Sequence, residues 1–180
     1  MIRKQSWTPS KERGFEAATT DVKVVPDSPD KARRAAVCLL ASRQAMDEFS
    51  QGLIREFGAN QGKGGGPMLG MQVLLLTTTG TEGGRTLTRP LVYTRDGDRI
   101  VIVAAYGGSD QDPPWYQDIV ANPMATVEVG AEKFEVRATV TSGEERRLLF
   151  ERHGELMPIV FDYQRKTTRQ IPVVVLTRAD

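Results

Sequence analysis

Cysteine and histidine are almost absent from this chain of 180 residues, which contains one of each, Cys38 and His153. A single thiol excludes an internal disulfide framework and is compatible with a reducing cytoplasm. A single histidine excludes a multi-histidine metal site. A charge excess is also absent, because 24 Lys and Arg against 23 Asp and Glu leave a net charge of +1. The sequence therefore predicts no nucleic-acid partner.

Long apolar runs are missing as well. No run approaches the roughly 20 residues of a membrane span, and the N-terminal MIRKQSWTPSKERGFE lacks the apolar middle of a signal peptide. With 39% hydrophobic and 26% charged residues, the composition is that of a soluble globular protein. The expected localisation is cytoplasmic, and both peripheral membrane contact and oligomerisation stay open.

Residues for nucleophilic or metal catalysis are scarce. A catalytic triad needs a base, and His153 lies in the charged stretch RRLLFERHGE, where the pattern favours a solvent-facing or helix-end histidine. Cys38 lies between two apolar residues of a helical segment and is interpreted as a small buried hydrophobe. No cluster of Asp, Glu, His or Cys has metal-ligand spacing, so no metal site is predicted.

The first 30 residues differ in composition from the remainder. Residues 1–30 are polar and mix both charges, which predicts a flexible or loosely docked extension, with an arm over a partner or a site as the alternative. Residues 31–180 are predicted to form a single domain. From about Asp30 to Phe57 the pattern is helical, and its apolar residues share one face that would pack on a core: Met46, Phe49, Leu53 and Phe57.

Apolar runs separated by turn signals dominate the rest of the chain. Strands are predicted at MQVLLLTTT, TLTRPLVYTR, RIVIVAAY, MATVEVG, EKFEVRATV and IPVVVLT. Asp96-Gly97 and Gly130-Ala131 are typical of hairpins, and Pro90 indicates an edge or a bulge. Regular β-α-β alternation is absent. We therefore expect an α+β fold with about six mostly antiparallel strands curled into a small barrel.

Alternation and capping patterns add detail to these elements. In the fifth strand the residues expected on the buried face are Phe134, Val136, Ala138 and Val140. Asp112-Pro113 predicts a helix start, with a capping carboxylate followed by proline at the first helical position. Ser142 to Glu145 has the spacing of a capping box, which opens a helix to about His153.

Two glycine loops follow strands and are the first candidates for a ligand site. Gly80, Gly83 and Gly84 follow LLLTTT, and Gly107-Gly108 follow RIVIVAAY. Free backbone N–H groups in such loops can hold an anion, and the hydroxyls of Thr77, Thr78 and Thr79 would add donors. The first loop lacks both G-K-[ST] and G-x-G-x-x-G. An anion loop and a plain turn both remain open on these residues alone.

An aromatic pair follows the second loop directly. Trp115 and Tyr116 fall in the first turn of the predicted helix PPWYQDIVA. They can pack in the core against Ile119 and Val120 at i,i+4 spacing, or they can form a wall beside a planar ligand. Core packing is the interpretation that the residues favour by themselves.

Several segments occur together in one order and spacing: LLLTTTG, RPLVY, RDGDRIVIVAAYGG, PPWYQDIVANP and YQRKTTRQIPVVVL. In this the chain resembles the deazaflavin (F420)-dependent nitroreductase and quinone-reductase family of actinobacteria, from about Met46 to Leu176. The resemblance implies a split β-barrel of the FMN-binding, pyridoxamine-oxidase-like type with helices packed around it. It also implies an F420 cofactor that delivers hydride to a planar hydrophobic acceptor, namely a quinone, a nitroaromatic or an activated enone.

Carried over residue by residue, the resemblance implies a cofactor site on the barrel rim. The residues expected to bind F420 are Thr78, Thr79, Gly80, Arg85, Arg89, Pro90, Leu91, Val103, Ala104, Ala105, Tyr106, Gly107, Gly108, Trp115 and Tyr116. A hydride comes from the cofactor, so the protein needs to supply only binding, orientation and electrostatics. The lack of a nucleophile, base or metal agrees with this expectation.

The chain departs from the family pattern at the cations. Thr81 and Glu82 stand in place of a basic pair in the first loop, Gly83 replaces a hydroxyl residue, and Leu87 and Tyr106 occupy two further basic positions. Asp118 stands where the family has asparagine. Arg85 and Arg89 remain to meet the phosphate. Each charge-assisted contact is worth about 1.5–3 kcal/mol, so these changes leave open a second class of function: a non-catalytic or differently loaded split barrel that binds FMN or a lipid-like ligand.

The substrate pocket is expected in ELMPIVFDYQRKTTR, before the last strand. The resemblance assigns its wall to Met157, Ile159, Val160 and Phe161, with Tyr163 as a phenolic contact to substrate and core packing as the alternative for each. The expected substrate is a small hydrophobic or aromatic molecule.

Overall fold

Continuous and alternating apolar runs become strands in the computed structural model, which describes residues 43–59, 70–80 and 83–179. Within these ranges the strands are β1 Val73–Thr79, β2 Thr86–Asp96, β3 Arg99–Val103, β4 Met124–Val129, β5 Glu132–Val140 and β6 Val173–Arg178. The helices are α1 Arg43–Ala59, α2 Pro114–Ala121, α3 Gly143–Leu156 and α4 Ile159–Lys166, with a 3₁₀ turn at Tyr106–Gly108.

The strands close into a barrel in the order β1-β2-β3-β6-β5-β4, with every neighbouring pair antiparallel. This confirms the predicted antiparallel barrel and its two hairpins at Asp96-Gly97 and Gly130-Ala131. Pro90 faces Leu75 of β1, whereas β3 pairs with β2 only from Tyr93 onward. At Pro90 the strand β2 therefore has one partner, as the missing N–H group predicts.

Apolar side chains fill the barrel, and a helix closes it. Leu74, Leu76, Ile102 and Val127 are each 0% exposed, and Trp115 and Ile119 of α2 pack into the same cluster. On the outside, α3 and α4 cover β3 and β6, and the apolar side chains between them form an outer core. The helix α1 covers the start of β1. The helix α2 thus joins the barrel core to the loops around it.

The helix α1 agrees with the predicted apolar face where its side chains are described. Leu53 and Phe57 are 5% and 4% exposed. The side chains of Met46 and Phe49 fall outside the described part, as do residues 31–42 with Cys38 and the extension 1–30. No helix among the described residues is both long and apolar enough to cross a membrane.

Both predicted helix caps are wrong in detail. The helix α2 begins at Pro114 with Pro113 as its cap residue, because the carboxylate of Asp112 bonds to the Arg169 guanidinium instead. Ser142 does precede α3, but its side chain makes no capping bond. The carboxylate of Glu145 pairs with Arg99 at 2.8 Å.

Two predictions of exposure are also wrong. Val140 is 42% exposed rather than buried, because it lies at the end of β5. His153 does lie in the last turn of α3, but it is 2% exposed and therefore does not face solvent. The helix α4, which was not predicted as a helix, packs on α3 at Gly154, the residue after His153. It packs so closely that the Phe161 ring occupies the space a Cβ on Gly154 would need.

Burial makes His153 a source of pH-dependent stability. Desolvation lowers its pKa from 6.5 to about 4, and its Nδ1 has no hydrogen-bond partner among the described residues. The neutral form is favoured in the folded state, so stability is intact above pH 6.5 and is lost as pH falls toward 4. With about 1.4 kcal/mol per pKa unit, the loss amounts to roughly 3 kcal/mol.

The variant that tests this pH dependence is His153→Leu, which keeps a side chain of similar volume and removes the titrating group. Urea unfolding from pH 7 to pH 4 should give a free energy of unfolding that falls more steeply in the wild type than in this variant. Carboxylates titrate in both proteins, so the difference between the two curves isolates His153. Parallel curves would contradict the assignment.

Candidate functional site

The first glycine loop connects β1 to β2 at the barrel rim. The Gly80 amide donates to the Arg85 carbonyl at 2.7 Å and so closes the loop. Gly83 and Gly84 have φ of 70° and 64°, which favours glycine at both positions. Arg85 is exposed, whereas Thr81 and Glu82 lie outside the described residues. Among its described residues, this loop therefore has one cation that could bind an anion, Arg85, whose carbonyl accepts the closing bond from Gly80.

The threonines that precede this loop already have partners inside the protein. Thr78 is 1% exposed and donates to Asp118 Oδ2 at 2.8 Å. Thr77 bonds to Thr88 across the β1–β2 pair at 2.9 Å. Only Thr79 of the three is exposed. The hydroxyls of Thr77 and Thr78 thus hold the rim together, and Asp118 places a carboxylate 3.7 Å from where a Cβ on Gly80 would lie.

The second glycine loop has a backbone conformation suited to anions. Ala105 has right-handed helical dihedrals (φ −72°, ψ −36°), and Tyr106, Gly107 and Gly108 follow with φ of 47°, 65° and 81°. A right-handed residue followed by a left-handed one turns successive N–H groups to one side and forms an anion-binding concavity. The amides of Gly108 and Ser109 donate to Ala105 and Tyr106 carbonyls. Those of Tyr106 and Gly107 have no acceptor among the described residues.

Arg169 holds this second loop in place, a role that sequence reasoning missed. Its guanidinium is 15% exposed and donates to the carbonyls of Ala104, Ala105 and Ser109 at 2.8–3.0 Å and to Asp112 Oδ1 at 2.8 Å. Thr167 adds a bond to Asp110 at 2.7 Å. The segment after α4 therefore fixes the loop from Ala104 to Asp112, directly before α2.

The aromatic pair of α2 divides between the core and the loop side. Trp115 is 4% exposed and belongs to the barrel core, as the core-packing interpretation expected. Tyr116 meets it edge to face at 6.1 Å and is half-buried. Burial and then the nearby Asp112 raise the pKa of Tyr116, while Arg169 opposes the shift. Tyr116 therefore stays a neutral phenol near the loop.

The helix α4 packs on the same loop from the other side. A Cβ on Gly108 would lie 2.9 Å from the Tyr163 carbonyl oxygen and 3.1 Å from Lys166 Cβ, so only glycine allows this approach. Tyr163 is 5% exposed, and burial followed by Asp162 raises the pKa of its phenol. The four residues expected to line a pocket pack together with Tyr163 in the outer core: Met157, Ile159, Val160 and Phe161.

The remaining predicted residues lie along β2 and at the end of β3. Leu91 packs against the barrel core and Pro90 is buried. Leu87 and Arg89 are half-buried on the same strand. Val103 packs on the outer core and Ala104 is 0% exposed. The helix α2 brings the two loops together, because it follows the second loop and its Asp118 bonds to Thr78 beside the first.

A cavity of about 370 Å³ lies at the opposite ends of β3 and β6. Ile100 and Leu176 belong to its apolar lining, and its rim has Arg95 and Arg178 facing Asp98 and Glu132. Because the rim charges are balanced, this cavity shows no preference for an anion. The described residues also contain no group of three His, Cys, Asp or Glu that could hold a metal ion. The rim formed by the two glycine loops is therefore the candidate ligand site, because its backbone amides can bind an anion.

Known proteins resemble this chain in sequence. Residues 53–178 match the family described as F420H(2)-dependent quinone reductase. An F420H(2)-dependent quinone reductase of Mycobacterium tuberculosis is 39% identical over 113 residues, which is 58% of this chain and 72% of the relative.

Two solved structures resemble the barrel. One is described as an F420-H2 dependent reductase, with 33% identity, a TM-score of 0.55, and coverage of 59% of this chain and 94% of that chain. The other is described as a domain-swapped dimer, with 33% identity, a TM-score of 0.56, and coverage of 59% and 80%.

Proposed function

We propose that this chain, which belongs to the F420H(2)-dependent quinone reductase family, uses reduced F420 to reduce a planar hydrophobic acceptor of the quinone class. The observation that carries the proposal is the pair of amides at Tyr106 and Gly107, which face one side and have no acceptor among the described residues. F420 has a phosphodiester and an oligoglutamate tail, and such anions suit backbone N–H groups of this geometry.

The residues present fit this cofactor in specific ways. The turn Tyr106–Gly108 and the exposed Arg85 would hold the anionic tail, with Arg89 on the adjoining strand. Tyr116 and Leu91 would lie toward the ring. When bound, the deazaflavin supplies the hydride chemistry, and the protein binds, orients and excludes water.

The test is a fluorescence titration of the purified protein with F420. We expect saturable binding in the low-micromolar range and menadione reduction by reduced F420. Absence of binding at tens of micromolar would refute the cofactor assignment. FMN titrated in parallel distinguishes the deazaflavin from a flavin.

A second candidate is a barrel loaded with another ligand. The observation that favours it is the Asp118 carboxylate, which lies beside Gly80 at the rim and would repel a phosphate. Native mass spectrometry of the protein from its own host would separate the candidates, because a retained FMN or lipid-like molecule would identify this alternative.

The substitution Asp118→Asn isolates this repulsion. Asparagine keeps an oxygen that accepts from Thr78 and removes the charge. We expect F420 affinity to rise about fivefold, since one screened charge contributes about 1 kcal/mol. Asp98→Asn, at the far end of the barrel, removes the same charge and is the control in the fluorescence titration. Equal effects of the two changes would mean that Asp118 acts only through net charge.

Partner and location follow from the same proposal. The acceptor is a hydrophobic quinone, which the protein would collect from a membrane surface by peripheral contact while it resides in the cytoplasm. A relative is described as a domain-swapped dimer, and we propose self-association for this chain as well. Light scattering and vesicle co-sedimentation test these two statements independently of activity.

A further inference from the structure

We propose that Lys166 of α4 is a cofactor-binding residue that supplies the cation of the second glycine loop; this rests on the function proposed above. The amides of Tyr106 and Gly107 offer partial positive charge, but the loop from Ala104 to Gly108 contains no basic residue. A polyanionic tail at this position would be bound more tightly with a full positive charge nearby, which a neighbouring element can supply. The helix α4 is the element that packs there.

Lys166 is placed directly against the turn. Its Cβ would lie 3.1 Å from a Cβ on Gly108, so the side chain starts at the edge of the anion-binding concavity. The residue is exposed, and its Nζ lies 5.7 Å from the centroid of the Tyr163 ring. A lysine side chain is long and flexible. The ammonium can therefore turn from the Tyr163 ring toward an anion bound at Gly107.

The carboxylates around this corner are already bonded to other groups. Asp162 pairs with Arg165, Asp112 pairs with Arg169, and Asp110 accepts from Thr167. No carboxylate among the described residues forms an ion pair with Lys166. Its charge is consequently available to a ligand, whereas the charge of Arg169 is committed to the loop carbonyls and Asp112.

Arg169 acts on the same site as a positioning residue. By bonding the carbonyls of Ala104, Ala105 and Ser109, it fixes the turn and occupies acceptors of the loop, not its Tyr106 and Gly107 amides. The close contact between Gly108 and the Tyr163 carbonyl then sets the distance from the turn to α4. These contacts fix the turn against the segment of α4 that carries Lys166.

The experiment compares Lys166→Met, Lys166→Arg and Arg165→Met by F420 fluorescence titration at low and moderate salt. Arg165 is the preceding residue on the same helix, so its loss changes the net charge equally. We expect about tenfold weaker binding for Lys166→Met and less than twofold change for the other two variants. Equal weakening by Lys166→Met and Arg165→Met would overturn the proposal.

A second measurement separates this proposal from the cofactor assignment. Pyrophosphate titrated into ¹⁵N-labelled wild-type protein should shift the Tyr106 and Gly107 amide signals, and Lys166→Met should reduce its affinity while Arg165→Met does not. If pyrophosphate behaves in this way but F420 does not bind, the anion site stands and the proposed function fails. If neither amide shifts, or if Lys166→Met is without effect, Lys166 is not part of an anion site.

Discussion

Replacing Arg169 with methionine is expected to lower the free energy of unfolding by about 3 kcal/mol and to weaken F420 binding about tenfold. Methionine keeps the apolar stem but removes the donors to three loop carbonyls and the partner of Asp112. Removing one member of a buried ion pair typically costs 3–5 kcal/mol. The lower figure applies because the Asp112 side chain is 38% exposed and water can replace part of the bond.

The two effects have separate measurements. Urea unfolding gives the stability, and fluorescence titration well below the unfolding midpoint gives the affinity of the folded fraction. Arg169→Lys keeps the charge but cannot reach all the acceptors, so it should recover part of the stability and less of the binding. Arg165→Met is the control, because an exposed pair contributes at most about 1 kcal/mol. Stability loss with unchanged F420 affinity would show that Arg169 does not position the loop.

The barrel could be predicted from the sequence because its signals are local. The run VLLLTTT and the alternation in EKFEVRATV specify strands, and Asp96-Gly97 specifies a hairpin whose partners are close in the chain. Pro90 even indicated where β2 has only one partner. Closure into a barrel then follows from the need to bury both faces of the apolar strands.

The packing of α4 could not be predicted in the same way. This helix has 8 residues, a length that is marginal without tertiary contacts. Its Phe161 ring packs against Gly154 of α3. The contact between Phe161 and Gly154 therefore depends on an element that local propensity does not specify.

The two glycine loops of the candidate site could be located from the sequence, whereas the side chains that hold them in place could not. Glycines after a strand are visible in the sequence, but Arg169 bonds to carbonyls 60 to 65 residues away in the chain. Such a contact leaves no local pattern. The same holds for Thr78, whose hydroxyl was expected to face a ligand and instead bonds to Asp118, 40 residues away.

Restoring the basic pair of the first loop should produce the largest gain in cofactor affinity. The change is Thr81→Arg with Glu82→Lys, which adds two cations and removes one anion between Gly80 and Gly83; positions 81 and 82 lie outside the described residues. Each charge-assisted contact to phosphate contributes about 1.5–3 kcal/mol when formed. Partial screening reduces the sum, so we expect F420 affinity to rise about 30-fold in dilute buffer.

The effect of where the new charges lie can be separated from the effect of the change in net charge. A control that adds the same three charges elsewhere is Ala131→Arg with Glu132→Lys, in the β4–β5 hairpin. Screening by 0.5 M salt should reduce the gain of the loop variant and abolish any gain of the control. Together with Asp118→Asn, the loop change would then leave the rim without the carboxylates that oppose the tail. If affinity does not change in the loop variant while the Lys166 and Arg169 variants weaken it, the tail lies at the second loop alone, and Glu82 does not influence cofactor choice.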